Sequence, residues 1–401
     1  MEQVLYPLPE GWCYESLGKL IHIVGGATPA KNRAAYWNGA IKWASVRDLH
    51  SEELFDTELK ITEEGLKNSS TNIIPPENVV ISTRVGLGKV VITKDFVAIN
   101  QDLKGLLIKG NIDVKYLFYW LKSQAEYIKS VGTGATVKGV RLDFIKKLSC
   151  PLPTPNEQKR IVDKLDALLT CIDTAIEHLQ ESIKLADALF KSTLSSLVCN
   201  ESTEHEKLSL EELGSFSGGG TPSKNKSEFW NGDILWVTPK DMKSPVITNS
   251  ELKITQDGVK SSSAKFIPPG SVLIVARSGI LRHTLPVCIN ESECTVNQDI
   301  KVFIPGKKVS ADYIQYMLKG YEKFILSELV KGGVTVESLK YKDFQSFKFP
   351  IPSTEEQQKI VQKLSLVSQL IDPLKTELTH KINHLQKLKR SILDSAFKGD
   401  I

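Results

Sequence analysis

The sequence predicts an α+β protein with two homologous globular domains, each of small β-sheets with helices, at opposite ends of two long antiparallel coiled-coil helices. Two observations support this fold class. The first is an internal repeat that spans nearly all of the 401 residues. The second is an abrupt change, once in each copy, from short strand-like runs to a long helical pattern. Together they predict a molecule with an internal pseudo-twofold axis.

The repeat is visible in segments that recur in the same order. GGATPAKNRAAYWNG at residues 25–39 returns as GGGTPSKNKSEFWNG at residues 218–232, and Asn-Gln-Asp at 100–102 returns at 297–299. A period near half of the chain is too long for a solenoid, whose units run about 20 to 50 residues. The sequence therefore predicts a duplicated domain with two copies of one kind of site.

The first domain is predicted at residues 1–153. Short β-rich runs such as Asn-Val-Val-Ile-Ser at residues 78–82 alternate with Gly and Pro, a pattern typical of small sheets joined by turns. Asn38-Gly39, and likewise Asn231-Gly232 in the second copy, are expected in tight hairpin turns, because asparagine and glycine tolerate the positive φ that such a turn needs. Trp37 and Trp43 are expected in the core.

A long spacer helix is predicted at residues 154–200, directly after a Pro-rich junction. Apolar residues recur there at spacings of three and four, which places them on one face of an α-helix. They are Ile161, Leu165, Leu168, Ile172, Ile176, Leu179, Ile183, Ala186 and Phe190. A helix of about 40 residues, rising roughly 1.5 Å per residue, would be about 60 Å long.

The second domain is predicted at residues 201–352 and the second spacer helix at 353–401. This helix contains Pro373, where a kink is expected because proline removes a helical hydrogen bond. Its apolar face consists of Ile360, Leu364, Val367, Ile371, Leu374, Leu378, Ile382, Leu385, Leu388 and Ile392. Because neither helix can leave its apolar face in water, the two are expected to pack against each other, antiparallel, with one domain at each end.

Composition and charge narrow the class of protein. The chain is 41% hydrophobic and 24% charged, and its formal net charge of +4 permits a polyanionic partner without requiring one. The six cysteines form no CxxC pair, so neither a zinc ribbon nor a disulfide framework is expected. No run approaches the roughly 18 apolar residues of a membrane span, and the N-terminus lacks a signal-peptide pattern. We expect a cytoplasmic protein that has no contact with a membrane.

With these features in view, the chain resembles the specificity (S) subunit of type I restriction-modification systems. The layout of two domains and two helices matches, as do the Pro-rich junctions that lead into Glu157-Gln158 and Glu356-Gln357. GGGTPSKN at residues 218–225 and Leu-x-x-Ser-x-Leu-x-Ser-x-Phe at 388–397 also match. The first copy departs slightly, since its equivalent pattern ends in Val198. The resemblance covers essentially the whole chain.

The resemblance implies that the globular units are target recognition domains for double-stranded DNA. Because the two domains have diverged, their half-sites should differ in sequence, giving a bipartite, non-palindromic site. The helices are implied to dock two methylation (M) subunits and to set the gap between the half-sites. The implied assembly also contains ATP-driven restriction/translocase (R) subunits. The chain itself would be a non-catalytic DNA-recognition subunit.

Candidate DNA contacts are polar residues in predicted loops, most of which recur in both domains. Arg on guanine and Gln or Asn on adenine are the common base contacts, whereas Lys, Ser, Thr and backbone amides hold phosphates. The candidates are Thr28, Lys31, Arg47, Arg84, Thr136, Lys138, Thr221, Lys224, Lys240, Arg277, Arg282 and Thr335. Solvated surface charge is the alternative interpretation of the basic residues. Gln101 and Gln298 could contact adenine, but the Asn-Gln-Asp motif is interpreted first as a structural turn.

The sequence predicts no catalytic, cofactor or metal site. The paired prolines at 75–76 and 268–269 lack the other residues of an adenine methyltransferase loop. Residues 86–89, Gly-Leu-Gly-Lys, lack the first glycine and the final Ser or Thr of a phosphate-binding loop. Two alternatives stay open: a two-headed adaptor that does not bind nucleic acid, and an enzyme with an unfamiliar site. An adaptor would show no salt-dependent affinity for DNA.

Overall fold

The computed structural model describes residues 3–134, 138–199, 205–333 and 336–401. The chain divides into two compact units, of which unit 1 comprises Met1–Gln180 with Thr379–Ile401 and unit 2 comprises Glu181–Leu378. Each unit therefore combines one globular domain with parts of both long helices. The predicted class, α+β with two like domains and two long helices, is confirmed.

The domain of unit 1 is built from short strands and short helices. Its strands are β1 (Cys13–Ser16), β2 (Ile21–Gly25), β3 (Trp37–Ala44), β4 (Glu53–Leu54), β5 (Leu59–Ile61), β6 (Ile73–Ile74), β7 (Val79–Ser82), β8 (Val90–Thr93), β9 (Val97–Ile99), β10 (Leu103–Ile108) and β11 (Ser149–Leu152). Its helices are α1 (Leu17–Leu20), α2 (Glu63–Lys67), α3 (Val114–Ser123), α4 (Ala125–Ser130) and α5 (Leu142–Lys147). A five-stranded sheet has the order β2-β10-β7-β8-β4, a four-stranded sheet the order β5-β3-β9-β6, and β1 pairs with β11.

The core of this domain lies between the five-stranded sheet and α3. Every residue of β7 and β8 is buried, which explains their continuous run of Val and Ile rather than an alternating pattern. Helix α3 begins at Asp113, whose carboxylate accepts a hydrogen bond from the amide of Tyr116 (3.0 Å). Tyr116 and Trp120 then bury their rings against the sheet.

The first long helix, α6 (Pro155–Val198), is separated from the end of β11 by two residues. Pro155 occupies its first turn, where the missing amide hydrogen costs nothing and the fixed φ suits a helix. Thr154 accepts a hydrogen bond from the amide of Glu157 (3.4 Å). The helix continues without a break for 44 residues.

The domain of unit 2 repeats this plan. Its strands are β12 (Glu206–Ser209), β13 (Gly214–Gly218), β14 (Trp230–Val237), β15 (Val246–Ile247), β16 (Leu252–Ile254), β17 (Val272–Val275), β18 (Val287–Asn290), β19 (Thr295–Val296), β20 (Ile300–Pro305), β21 (Val330–Lys331), β22 (Ser338–Leu339) and β23 (Lys348–Ile351). Its helices are α7 (Leu210–Leu213), α8 (Gln256–Lys260), α9 (Ala311–Gly320), α10 (Glu322–Glu328) and α11 (Tyr341–Ser346). The five-stranded sheet β13-β20-β17-β18-β15 has the same order as that of unit 1, beside a three-stranded sheet β16-β14-β19 and the pairs β12-β23 and β21-β22.

The second long helix, α12 (Thr354–Ala396), begins with a reciprocal cap. Ser353 accepts a hydrogen bond from the amide of Glu356 (3.3 Å), and the Glu356 carboxylate accepts one from the amide of Ser353 (3.1 Å). The helix runs through Pro373 without a break in its assignment. The kink at this proline stays a prediction.

In each unit the two long helices lie against each other and run antiparallel. In unit 1, Arg160 near the start of α6 donates a hydrogen bond to the carbonyl of Ile401 (2.6 Å), and Lys389 contacts the Oδ2 atom of Asp173 (2.6 Å). In unit 2, Lys375 contacts Asp187 (2.5 Å). Buried apolar residues such as Ile176 and Ile382 in unit 1 line the same seam.

The predicted apolar faces need three corrections. Leu168 is exposed and its neighbour Leu169 is buried instead, because Leu169 packs into the core of the domain of unit 1. Leu374 and Leu388 of α12 are also exposed. Spacing alone defines a wide face, and the side chains at its margin are buried only where a neighbouring element covers them.

The prediction of hairpin turns at Asn38-Gly39 and Asn231-Gly232 is wrong. Both asparagines have a positive φ of 61°, but they lie inside β3 and β14, where the pairing register shifts as in a β-bulge. A Cβ on Gly39 would lie 2.4 Å from the carbonyl oxygen of Ile61. The glycine is therefore needed for close approach between strands rather than for chain reversal.

Candidate nucleic-acid interface

In each domain two tryptophans hold the glycine-rich loop of the repeat through hydrogen bonds from their indole groups. In unit 2, the indole of Trp236 donates to the carbonyl of Gly220 (2.9 Å) and that of Trp230 to the carbonyl of Ser223 (3.1 Å). The rings meet edge to face at 5.0 Å. The equivalent bonds in unit 1 join Trp43 to Ala27 (3.0 Å) and Trp37 to Ala30 (3.2 Å). The loop that carries Thr221 and Lys224 is thus held in place from the sheet side.

The same loops lie in close contact with the backbone that precedes the Asn-Gln-Asp motif. A Cβ added to Gly219 would lie 2.1 Å from the carbonyl oxygen of Val296, and one added to Gly26 would lie 2.1 Å from that of Ile99. Only glycine permits this approach. The glycines therefore bring each loop into contact with the turn that follows β19 or β9.

In unit 2 the Asn-Gln-Asp turn joins two candidate residues. Buried Asn297 fixes the turn, because its side-chain oxygen accepts a hydrogen bond from the amide of Asp299 (3.1 Å). The hydroxyl of Thr221 donates to the carboxamide oxygen of Gln298. The guanidinium Nε of Arg277 donates to Asp299 Oδ1 at 2.7 Å. One turn thereby positions a threonine from one loop and an arginine from another.

Unit 1 repeats this arrangement with a looser ion pair. The hydroxyl of Thr28 donates to the carboxamide oxygen of Gln101 (2.5 Å). Arg84 Nη1 lies 3.5 Å from Asp102 Oδ1. Lys104 lies behind the turn and donates to the carbonyl of Gln101 (2.7 Å); burial lowers the pKa of this lysine, and neighbouring Asp102 partly offsets that effect.

Arg47 and Lys240 each lie on a turn that is fixed by the aspartate that follows them. Asp241 caps its own turn by accepting hydrogen bonds from the amide of Thr238 (2.8 Å) and, through its other oxygen, from the amide of Glu251 (2.8 Å). Asp48 makes the equivalent bonds in unit 1, to the amides of Ser45 and Glu58 (2.8 Å each). The aspartates are structural, and the basic side chains beside them are exposed.

Four of the predicted residues in unit 2 line a single open groove, together with Gln298. They are Thr221, Lys224, Lys240 and Arg277. Asp299 and Glu251 also face this groove. The structure therefore gathers residues that are widely separated in sequence into one polar surface with three cationic side chains.

In unit 1 the predicted residues are more dispersed. Arg47 borders a separate depression that also contains His50 and Phe55. Lys31 is exposed on the glycine-rich loop. Lys138 is exposed beside a bridge between Thr133 and Gly139, and the adjoining backbone approaches Arg84, since Val140 donates to the carbonyl of Thr83 (3.0 Å).

Arg282 is placed differently from the other candidates. It donates from Nε to the carboxylate of Glu337, a buried residue, and it does not line the groove. This hydrogen bond holds the pKa of Glu337 below its ordinary value. The side chain of Arg282 remains 54% exposed. Thr136 and Thr335 lie outside the described residues.

The sequence offered Gln101 and Gln298 as possible adenine contacts only after a structural turn, and it did not single out Asp102 or Asp299. The Asn of the motif does fix a turn, but the following Gln is exposed and the Asp holds an arginine. The sequence signal that could have identified these residues is the recurrence of Asn, Gln and Asp in both copies. A structural turn needs only the asparagine, so the repeated Gln and Asp indicate an additional role.

Two further findings concern the described part of the chain. No cluster of three or more His, Cys, Asp or Glu side chains suited to a metal ion occurs within it. Among the described helices, none combines the length and apolar character that crossing a bilayer requires.

The comparisons with known proteins agree with the duplicated architecture. A family profile described as the type I restriction modification DNA specificity domain matches residues 9–185 and again residues 203–384. The type I restriction enzyme EcoR124I/EcoR124II specificity subunit of Escherichia coli is 34% identical over 285 residues, which cover 68% of each protein. The EcoKI specificity subunit of Escherichia coli K12 is 20% identical over 98% of this chain and 90% of that protein.

Two solved structures have a similar fold. A chain from a study of complex assembly and conformational transition in a type I R-M system superposes with a TM-score of 0.80 at 21% identity, over 99% of this chain and 100% of the other. The HsdS subunit from Thermoanaerobacter tengcongensis gives a TM-score of 0.55 at 20% identity, over 99% of both chains. The chain therefore belongs to the family of type I restriction-modification specificity subunits, and it carries their DNA specificity domain twice.

Proposed function

We propose that this chain reads a bipartite, non-palindromic site in double-stranded DNA, with one half-site for each domain. The observation that carries the proposal is the repeated polar scaffold. Both domains pair a loop threonine with Gln and an exposed arginine with Asp across the same turn, while the residues around the scaffold differ. A common scaffold with different surroundings suits two related half-sites of different sequence.

Within the groove of unit 2 the residues suit two roles. Lys224, Lys240 and the Thr221 loop offer charge and donors for phosphate oxygens, which fix the register of a protein on the duplex. Arg277 is the candidate for a base contact, since a guanidinium can donate two parallel hydrogen bonds to guanine. Arg84 takes the equivalent role in unit 1, with Lys31, Arg47 and Lys138 as phosphate contacts.

We further propose that the long helices dock two methylation subunits, and that the assembled enzyme adds restriction/translocase subunits. In unit 2, Leu366, Leu370 and Leu374 are exposed one turn apart along α12, and Leu185 and Leu189 are exposed along α6. Exposed leucines at helical spacing form an apolar surface suited to a protein partner. The family's members are non-catalytic DNA-recognition components, so the chemistry would come from these partners.

We place the protein in the cytoplasm. Cys13 and Cys171 are exposed thiols, as suits a reducing compartment.

The test is methylome sequencing of cells that express the chain with its methylation subunits. We expect a split adenine-methylation motif with unlike halves. Arg277→Ala should weaken binding to the selected duplex about 5- to 100-fold, the range of one lost bidentate base contact, and should relax specificity in the second half only. Lys243→Ala, which removes an exposed cation outside the groove, is the matched control and should leave the motif unchanged.

Equal loss of specificity in both halves, or none in either, would contradict the assignment of Arg277. Absence of any salt-dependent affinity for duplex DNA in the assembled complex would favour the adaptor interpretation instead.

A further inference from the structure

We infer that Asp299, and its counterpart Asp102, act as positioning residues that hold Arg277 and Arg84 ready for a base edge while lowering non-specific affinity for DNA phosphates. This inference rests on the proposed function and concerns how the same candidate sites discriminate between DNA sequences. It assigns a role in DNA selection to an acidic side chain within a cationic surface.

The carboxylate is the more buried partner of each ion pair. The side chain of Arg277 is 55% exposed and that of Asp299 only 22%, and in unit 1 the values are 54% for Arg84 and 15% for Asp102. In both domains the guanidinium is therefore more accessible to a DNA ligand than the carboxylate that holds it.

The contact in unit 2 leaves the outer edge of the guanidinium available. Arg277 uses Nε for its 2.7 Å bond to Asp299. Among the described residues, neither Nη atom of Arg277 has a hydrogen-bond partner. The two Nη groups can together make a bidentate base contact, so Asp299 fixes the side chain through Nε without occupying that edge.

The turn makes Asp299 a rigid support. Its amide is bonded to Asn297 Oδ1 (3.1 Å), its Oδ2 accepts from Asn297 Nδ2 (3.1 Å), and its carbonyl accepts from the amide of Ala276 (2.8 Å). An arginine held by a rigid carboxylate loses less side-chain entropy when it meets a base.

The same carboxylate also lowers affinity for DNA, and it does so in a way that improves discrimination between DNA sequences. Non-specific binding to DNA depends on the number of phosphates that cations neutralise, and a negative charge in the groove reduces that number. The edge of a base is uncharged and is little affected by the carboxylate, whereas a phosphate is anionic and is repelled by it. Weakening the wrong complexes more than the right one raises specificity.

The effect of the aspartate on its paired arginine should differ between the two domains. The ion pair is 2.7 Å long in unit 2 and 3.5 Å in unit 1. Removing the carboxylate should therefore affect the second half-site more than the first.

The experiment compares Asp299→Asn and Asp102→Asn with the unaltered full-length chain, each assembled with its methylation subunits. Affinity is measured over a series of salt concentrations for a random-sequence duplex pool and for the duplex selected from that pool by the unaltered complex. For Asp299→Asn we expect random-pool affinity to rise about 3- to 10-fold, with the slope of log K against log salt steeper by about 0.9, as for one added phosphate contact. Discrimination at the second half-site should fall about 10-fold.

Two controls separate this role from charge and from folding. Asp233→Asn removes an exposed carboxylate of β14 outside the groove, with the same change in net charge, and should alter neither affinity. Asp299→Glu keeps the charge and should retain low affinity for the random pool. Thermal melting of each variant reports whether the domain remains folded.

An Asp299→Asn variant that melts normally and matches the unaltered complex on both duplexes would overturn the inference while leaving the proposed function intact. A fall in both affinities by the same factor would overturn it as well, since it would make Asp299 a general structural support. Failure of the unaltered complex to prefer any duplex would remove the proposed function itself.

Discussion

Gly219 shows how a single residue positions the site. Its hydrogen faces the carbonyl oxygens of Val296 and Asn297, which a Cβ would approach to 2.1 and 2.3 Å. Both neighbours are backbone atoms of a buried strand and turn, so they cannot move aside as a side chain would. The adjacent Gly218 has room, because a Cβ there would meet only Lys301 Nζ at 3.7 Å.

Gly219→Ala should consequently destabilise the domain of unit 2 by about 2–4 kcal/mol, the cost of forcing a methyl group against fixed backbone. Urea denaturation of the full chain measures the change. Gly218→Ala is the matched control and should stay within about 0.5 kcal/mol of the unaltered protein. Equal effects at the two positions would show that the close approach does not constrain the loop.

At the scale of elements, two buried glutamines join the domains to the long helices. Gln158 in the first turn of α6 donates to the carbonyls of Asn111 and Pro153 (3.0 Å each) and accepts from the amide of Asp113 (2.7 Å). Gln357 makes the equivalent bonds in unit 2, to Lys308, Pro352 and Ser310. Each glutamine fixes the start of a long helix to the loop that precedes α3 or α9 in its own domain.

Gln158→Leu should lower the free energy of unfolding of unit 1 by about 2–4 kcal/mol. Leucine fills much of the space but leaves one backbone amide and two carbonyls without their buried partner, which costs about 1–3 kcal/mol per group before relaxation. Urea denaturation gives the magnitude, and Gln180→Leu on the exposed face of α6 should change it by no more than about 0.5 kcal/mol. A neutral result for Gln158→Leu would mean that the junction is held by apolar packing alone.

At the scale of the whole molecule, the duplication places equivalent arginines in separate compact units. Arg84 belongs to unit 1 and Arg277 to unit 2, and each is paired with an aspartate of its own domain. Residues that share no partner usually contribute additively to a free energy. The two half-sites should accordingly be read independently.

The double variant Arg84→Ala with Arg277→Ala should lose binding free energy equal to the sum of the two single losses, within about 0.5 kcal/mol. Competition binding with duplexes altered in one half-site at a time measures each term. Arg84→Ala should relax only the half-site that Arg277→Ala leaves intact. A coupling energy of 1 kcal/mol or more would indicate that the half-sites are recognised together.

The sequence by itself determined the duplication, the α+β class and the two long helices, because repeats and apolar spacing are visible in the order of the residues alone. It also found the three cationic residues of the groove in unit 2, since Lys224, Lys240 and Arg277 recur at matching places in the repeat. Only the tertiary structure decided that Asn-Gln-Asp joins Thr221 to Arg277, that Arg282 is paired with Glu337, and that Leu169 rather than Leu168 is buried. Such contacts link residues that are far apart in the chain, or depend on which neighbour covers a helix face, and no spacing along one strand or helix encodes them.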